Sequence, residues 1–240
     1  MSDDVSDTLP GEPDAVVRPT VAVVCRPAID RDGLCRFVGN RPLVGRVPTT
    51  PAGVVEAAGR LCYDSWDRGR PHEAYVAHLI AEGHLSVLEH VQWTLFVRGV
   101  SRTLLAELTR HRHASFSVRS QRYCDESDCR FVVPADLLGE RMGGGLVTWL
   151  SECRLTRERY RQFLGVALSR GMDRKQAHGL ARSVLPGCTE TTLAVSLNAR
   201  AGRELLGKRL GAGAEPEIVR FGRAVRDVLT AECPPLFAGL

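Results

Sequence analysis

The sequence predicts an α+β fold on three observations. Apolar segments alternating with period two, or short and rich in β-branched residues, recur at 20–25, 91–100 and 189–197. Between them lie longer stretches with apolar residues at helical spacing, bounded by Thr-Pro, Asp and Gly signals. No internal repeat divides the 240 residues, and one α+β domain over 20–240 accounts for the order of elements.

Residues 1–19 are acidic, carry prolines and are poor in apolar groups, so they read as a disordered leader. Thr20–Cys25 is the first strand, and the glycine, proline and scattered charge of 26–49 predict a long loop. Thr50-Pro51 opens a helix with a threonine cap and proline in the first turn, its apolar side being Val54, Val55, Ala58 and Leu61. A second helix runs from Pro71 to Glu82 and stops at Gly83. Ser86-Val87-Leu88-Glu89 has the form of a capping box. Val91–Val100 is a half-buried strand with Val91, Trp93, Leu95 and Val97 on one face, after which Ser101 caps a helix bearing Leu104, Leu105 and Leu108. Arg130–Val133 is a short strand, and Gly143-Gly144-Gly145 a flexible joint without the Lys-Ser/Thr of a phosphate loop. Helices follow at 146–170 and 174–185, the latter capped by Asp173 and ended by Pro186. The strand Thr189–Leu197 and helices at 200–210 and 216–231 close the chain.

Composition excludes several classes. A net charge of +4 is too small for bulk nucleic-acid binding, and no apolar run reaches the ~18–20 residues that cross a bilayer. Met1–Pro19 has no basic region followed by an apolar one, so no secretory signal is expected. The eight cysteines contain no C-x-x-C pair, which predicts free thiols, no metal site and a cytoplasmic location. His84 and His90, six apart, are poor metal partners.

The local charge is more telling. Arg110-His111-Arg112-His113-Ala114-Ser115-Phe116-Ser117-Val118-Arg119-Ser120-Gln121-Arg122-Tyr123 holds four arginines, two histidines and three serines without an acid. Guanidinium forks fit phosphate oxygens bidentately and serine hydroxyls add donors, so this stretch reads as a nucleotide site. Three cations at a helix end are by themselves a solvated, dipole-favoured terminus; the downstream serines and Arg122-Tyr123 tip the reading towards an anion.

These residues resemble the R-H-R-x-x-S-x-x-x-x-S-x-R-Y signature of the flavin-dependent thymidylate synthases. Upstream, Gly83–His90 resembles that family's G-H-x-S/T-x-x-E-H block. Downstream, Ala181-Arg182-Ser183-Val184-Leu185-Pro186 and Asn198-Ala199-Arg200 resemble its A-R-x-x-L-P and N-x-R segments, and Arg209 stands at its distal arginine. The resemblance implies a mixed, mainly antiparallel sheet flanked by helices, usually in a homotetramer with shared active sites. It implies reductive methylation of uracil C5, converting dUMP to dTMP with FAD, and with methylenetetrahydrofolate and NADPH as co-substrates. Carried over by position, Arg209 is the activating catalytic residue and holds the pyrimidine. Ser120, Gln121, Arg122 and Arg182 would bind the nucleotide, with Glu107, Arg110, Val118 and Arg119 also lining it. His84, Ser86, Arg110, His111, Arg112, Val118, Asn198, Arg200 and Glu204 would line the flavin.

The chain departs from the family pattern at five places. Val118 stands for a usual Glu or Gln, Arg119 for Leu, Glu204 for Asn or His, Gly213 for His, and Glu215-Pro216 for Gln-Trp. These departures keep two alternatives open: a C5-methylase of UMP, as in nucleoside-antibiotic pathways, and a non-catalytic nucleotide-binding descendant.

Overall fold

The computed structural model describes residues 7–67, 69–139 and 144–240. Two sheets organise the chain. The larger contains four antiparallel strands in the order β3 (Thr20–Cys25), β4 (Gln92–Ser101), β7 (Glu190–Asn198) and β5 (Ala114–Val118). The smaller joins β1 (Thr8–Leu9), β2 (Glu12–Val16) and β6 (Phe131–Val132), with β1 and β2 antiparallel and β2 and β6 parallel. A bridge from Phe131 to Thr189 ties the small sheet to the approach of β7.

Alternation along β4 decides which face is covered. Val91, Trp93, Leu95 and Val97 are buried, as are Leu193, Val195 and Leu197 of the adjacent β7. Against this face pack α2 (Pro51–Tyr63), α3 (His72–Ala81), α4 (Arg102–Leu108), α7 (Ala199–Arg209), α8 (Pro216–Glu232) and α9 (Pro234–Phe237). The long α5 (Gly145–Ser169) pairs with α6 (Arg174–Ala181) through Tyr160, Leu164, Ala177 and Ala181. No helix of the described residues is long and apolar enough to cross a membrane.

Capping follows local chemistry. Ser101 Oγ accepts from Leu104 N at 2.9 Å and donates to Glu217 Oε2 at 2.7 Å, so α4 is capped and anchored to α8 together. Asp173 caps α6 and Asn198 caps α7, each accepting from the third residue onward.

The structure departs from these expectations at five places. The leader is folded from Asp7 to Pro19: Ala15 and Val16 are fully buried, and Asp14 accepts from Arg154 (2.7 and 3.0 Å) and Arg157 (3.1 Å) of α5. Glu12 and Asp14 read as solvated charge because their basic partners lie about 140 residues away; Met1–Ser6 lie outside the described residues. Within 26–49 stands α1 (Arg31–Val38), capped by Asp30, with Leu34 and Val38 packed on Val44, Val47 and Trp66. In α2 the covered face is shifted: Val55, Glu56 and Arg60 are buried while Leu61 is exposed. Arg60 accounts for that shift, since it bonds Glu56 (2.6 Å), Ser65 O (2.9 Å) and Arg70 O (3.0 Å) and lies over the Tyr75 ring. Finally, 85–90 is a 3₁₀ turn without the expected capping hydrogen bond. The helix expected at 174–185 tightens into a 3₁₀ turn at Arg182–Val184, and of the Gly143–Gly145 joint Gly143 lies outside the described residues.

β4 carries a bulge between Val97 and Val100, and Gly99 adopts φ +75° there. Its N–H donates to Glu190 Oε1 at 2.8 Å, and a Cβ at this position would stand 2.6 Å from Arg18 O. Gly99→Ala therefore combines a left-handed backbone with a backbone collision. It is expected to lower unfolding free energy by about 1–3 kcal/mol, read by urea denaturation; an unchanged midpoint would remove the constraint.

Candidate active site

The antiparallel pairing of β5 with β7 sorts the candidate residues into two groups. Ala114 is paired with Leu197 and Val118 with Leu193. Residues just before β5 therefore lie beside residues just after β7, while those just after β5 lie beside those leading into β7. The two ends are separated by the length of a five-residue strand, roughly 14–17 Å.

At the first end, α4 finishes at Leu108 and turns through Thr109 into Arg110-His111-Arg112. Arg110, His111, Arg112, His113 and Ala114 face Ala201, Glu204, Leu205, Lys208 and Arg209 of α7 across a cavity of about 300 Å³ with Leu197 beneath it. A smaller cavity of about 150 Å³, lined by Glu89, His113, Asn198, Arg200, Ala201 and Glu204, shares three of these residues and continues the first. The structure thus brings together Glu107, Arg110, His111, Arg112, Asn198, Arg200, Glu204 and Arg209.

Arg209 is held on two sides. Its Nη1 donates to Glu107 Oε2 at 3.0 Å and its Nε donates to His111 Nε2 at 3.0 Å. Accepting at Nε2 requires a neutral ring with the proton on Nδ1. The electrostatics agree: burial first, then the charges of Arg209 and Lys208, push the His111 pKa below the ordinary value, against a smaller opposing effect of Glu204. Glu204 is itself paired with Lys208 at 2.6 Å, which holds its carboxyl below the usual range.

The 3₁₀ turn before β4 lies at this same end, because Gln92 pairs with Asn198. Arg200 donates to Glu89 of that turn at 2.5 Å, and Ser86 is exposed on it. His84 opens elsewhere. It stacks on Tyr63 with ring centroids 5.7 Å apart, bonds Tyr63 Oη at 3.1 Å, and lines a mainly apolar cavity of about 650 Å³ with Arg60, Arg70, Tyr75 and His78.

The second end holds Ser120, Gln121, Arg122 and Arg182. Ser120 anchors a turn, its carbonyl accepting from Tyr123 N (3.2 Å) and Cys124 N (2.9 Å). Arg122 lines a cavity of about 400 Å³ with Tyr123, Arg174, Lys175 and His178, and Lys175 Nζ sits 4.8 Å from the Tyr123 ring centroid. Behind it, the buried Tyr160 hydroxyl accepts from Glu126 N (3.1 Å) and meets His178 Nδ1 (2.9 Å), fixing α5, α6 and the 120–129 loop to one another. Arg182 lies on the turn after α6, close enough for its charge to lower the Arg102 pKa, a shift led by burial. Within one chain, then, Arg122 and Arg182 do not meet Arg209.

Two signature residues turn away from both groups. Val118 packs with Phe116 against the main core, and Arg119 bonds Glu126 (3.3 Å) and Asp125 O (3.0 Å) at the rim of a separate charged cavity. Conversely, Lys208, Tyr63 and Lys175 carry no role in the sequence reading, and His113 enters it only as part of the Arg110–Tyr123 run. Lys208 had a usable signal, since 201, 204, 205 and 208 share one helical face. Lys175 had none.

The family model of the thymidylate synthase complementing proteins, Thy1, matches residues 45–235. The chain belongs to that family. Flavin-dependent thymidylate synthase from Mycobacterium sp. strain JLS is 40% identical over 202 residues, covering 78% of this chain and 79% of the relative. The protein of that name from Mycobacterium tuberculosis strain ATCC 25177 / H37Ra is 38% identical over 196 residues, covering 77% and 78%. A crystal structure of thymidylate synthase X from Helicobacter pylori with FAD and dUMP superposes with a TM-score of 0.61 at 24% identity, over 92% of this chain and 97% of that one. This is an enzyme family, and both ends of β5 carry its signature residues.

In this Thy1 enzyme, His111 is expected to titrate below ~6.5 and to show the Nδ1–H tautomer by NMR. Because the folded state disfavours protonation, this histidine's contribution to stability is present above ~6.5 and is lost as pH falls below it. Lys208→Ala removes a cation and should raise the His111 pKa; titration at or above the ordinary value in the unaltered protein would contradict the Arg209–His111 geometry.

Proposed function

We propose that the chain is a flavin-dependent thymidylate synthase that methylates uracil C5 of dUMP, using methylenetetrahydrofolate for carbon and NADPH for electrons. The observation that carries this reading is Arg209, buttressed by Glu107 and a neutral His111 in a cavity walled by cations. The donor set suits FAD: Arg110, Arg112, Arg200 and Lys208 offer charge-assisted hydrogen bonds to a pyrophosphate, and Leu197, Ala201 and Leu205 offer an apolar wall. Pairing with Lys208 offsets the negative charge that Glu204 introduces there. When bound, FAD supplies the two-electron chemistry and relays the one-carbon unit.

The protein's own part is positioning and charge. Uracil C5 becomes nucleophilic as negative charge builds on the ring, and a preorganised donor at that charge contributes about 2.7–4 kcal/mol. Glu107 and His111 fix the guanidinium plane of Arg209 before substrate arrives, so little reorganisation is needed. Ser120, Gln121, Arg122 and Arg182 would take the 5′-phosphate. Since they lie a strand's length from Arg209 in one chain, the complete site is assembled between subunits of a homotetramer, Arg122 and Arg182 of one facing Arg209 of another.

The same site supports UMP as a second substrate. Val118 stands where relatives carry Glu or Gln and packs on the main core, so the hydrogen-bonding group of those relatives is missing at this position. Turnover of dUMP and UMP, each with NADPH and methylenetetrahydrofolate, decides between them: dTMP formation is expected, and failure with both nucleotides by yellow, FAD-loaded protein would overturn the assignment. Arg209→Ala is expected to lower methyl transfer by roughly 10²–10³-fold while the flavin absorbance is retained. Ser86→Ala should weaken FAD retention more than nucleotide binding, measured by ultrafiltration of each ligand; the reverse order would remove Ser86 from the flavin site.

A further inference from the structure

Three cysteines outside the active site converge where α5 meets the loop entering β7. Cys153 of α5, Cys129 and Phe131 form a buried cluster, with Cys188, Trp149 and Leu185 packed on it. The Sγ atoms of Cys153 and Cys188 stand 3.7 Å apart. Both backbones are held. Cys153 O accepts from Thr156 Oγ1 at 2.7 Å, while Cys188 O accepts from Val132 N at 2.8 Å and the Pro186 carbonyl accepts from Thr189 N and Oγ1. Forming a disulfide requires this Sγ separation to close to ~2.05 Å.

We propose that Cys153 and Cys188 are a redox-active dithiol that a hydroperoxide converts to an intramolecular disulfide. Cys188 is the half-buried member and Cys153 the buried one, so Cys188 meets the oxidant first. Hydrogen bonding from the Cys153 thiol lowers the Cys188 pKa and correspondingly raises that of Cys153. Cys129 is a poor competitor because burial pushes its thiol up to about 12. The Cys188 sulfur attacks the O–O bond; an S–O bond forms, the O–O bond breaks, and the departing oxygen leaves as water or alcohol with the thiol proton. The Cys153 sulfur then displaces hydroxide from the resulting sulfenic acid, and its own proton completes a second water. Two thiols lose two electrons and the hydroperoxide gains them. The product ties α5 to the segment that runs from the Arg182 turn into β7. The pairing itself does not depend on the nucleotide reading.

Peptide mapping of the purified full-length protein tests this. After reduction and desalting, the native protein is treated with hydrogen peroxide, quenched with catalase, and unfolded in N-ethylmaleimide. It is then digested without reductant. A dithiothreitol-sensitive Cys153–Cys188 peptide pair is expected, with maleimide on Cys129. Maleimide on both Cys153 and Cys188, under a dose that oxidises the exposed Cys62, would overturn the proposal, as would a cross-link through Cys129. Folded Cys153→Ala should stop at a Cys188 sulfenic acid that dimedone captures; capture nowhere on Cys188 would refute the order of attack.

Discussion

The register between β5 and β7 is the constraint from which the site follows. Pairing Ala114 with Leu197 places the end of α4 against the start of α7, and pairing Val118 with Leu193 sends the rest of the signature to the opposite end. A slip of one residue would exchange the faces of Phe116 and Val118 with those of Ser115 and Ser117, exposing apolar groups that now pack on the core. The packing of β5's half-buried face therefore protects the geometry of the cations on either side of it. The same register divides the cationic groups into two clusters that do not meet within one chain.

Electrostatics at the first cluster are arranged around a guanidinium rather than around an acid. Arg209 finds one carboxylate, Glu107, and one neutral imidazole, His111, and burial keeps that imidazole uncharged. A protonated His111 would lose its acceptor and place two cations in contact. Of the remaining cations, Arg200 is paired with Glu89 and Lys208 with Glu204, so Arg110 and Arg112 carry the excess positive charge of the cavity, which the chain-wide +4 does not reveal. Local concentration of charge, set by two helix ends and two strand ends, matters more here than net charge.

Much of this was legible in advance, and the failures share a cause. The strands Thr20–Cys25 and 91–100, the Ser101 and Asp173 caps and the stop at Gly83 are local events, each governed by residues within a few positions. The order of motifs identified the family. The leader reads as solvated because Glu12 and Asp14 find their partners in Arg154 and Arg157 of α5 and Asp7 finds its own in Arg130, and α1 reads as loop because Pro27, Asp30 and Gly33 resemble loop residues until Val44, Val47 and Trp66 cover the helix. Lys175 and the Tyr63–His84 stack join residues far apart in the chain, and no spacing rule reaches them.

By itself the sequence determined the residue types, the local caps and stops, the alternation that buries one face of β4 and β7, and a signature specific enough to name a family. Tertiary structure alone decided that Arg209 rests on Glu107 and His111, that Val118 faces the core, that Arg119 turns to Glu126, and that Cys153 lies beside Cys188. The physical reason is range. Capping and periodicity act over one or two turns, whereas strand pairing and part-buried ion pairs such as Arg209–Glu107 and Arg154–Asp14 join groups across a hundred residues, and their partners are chosen only once the core closes.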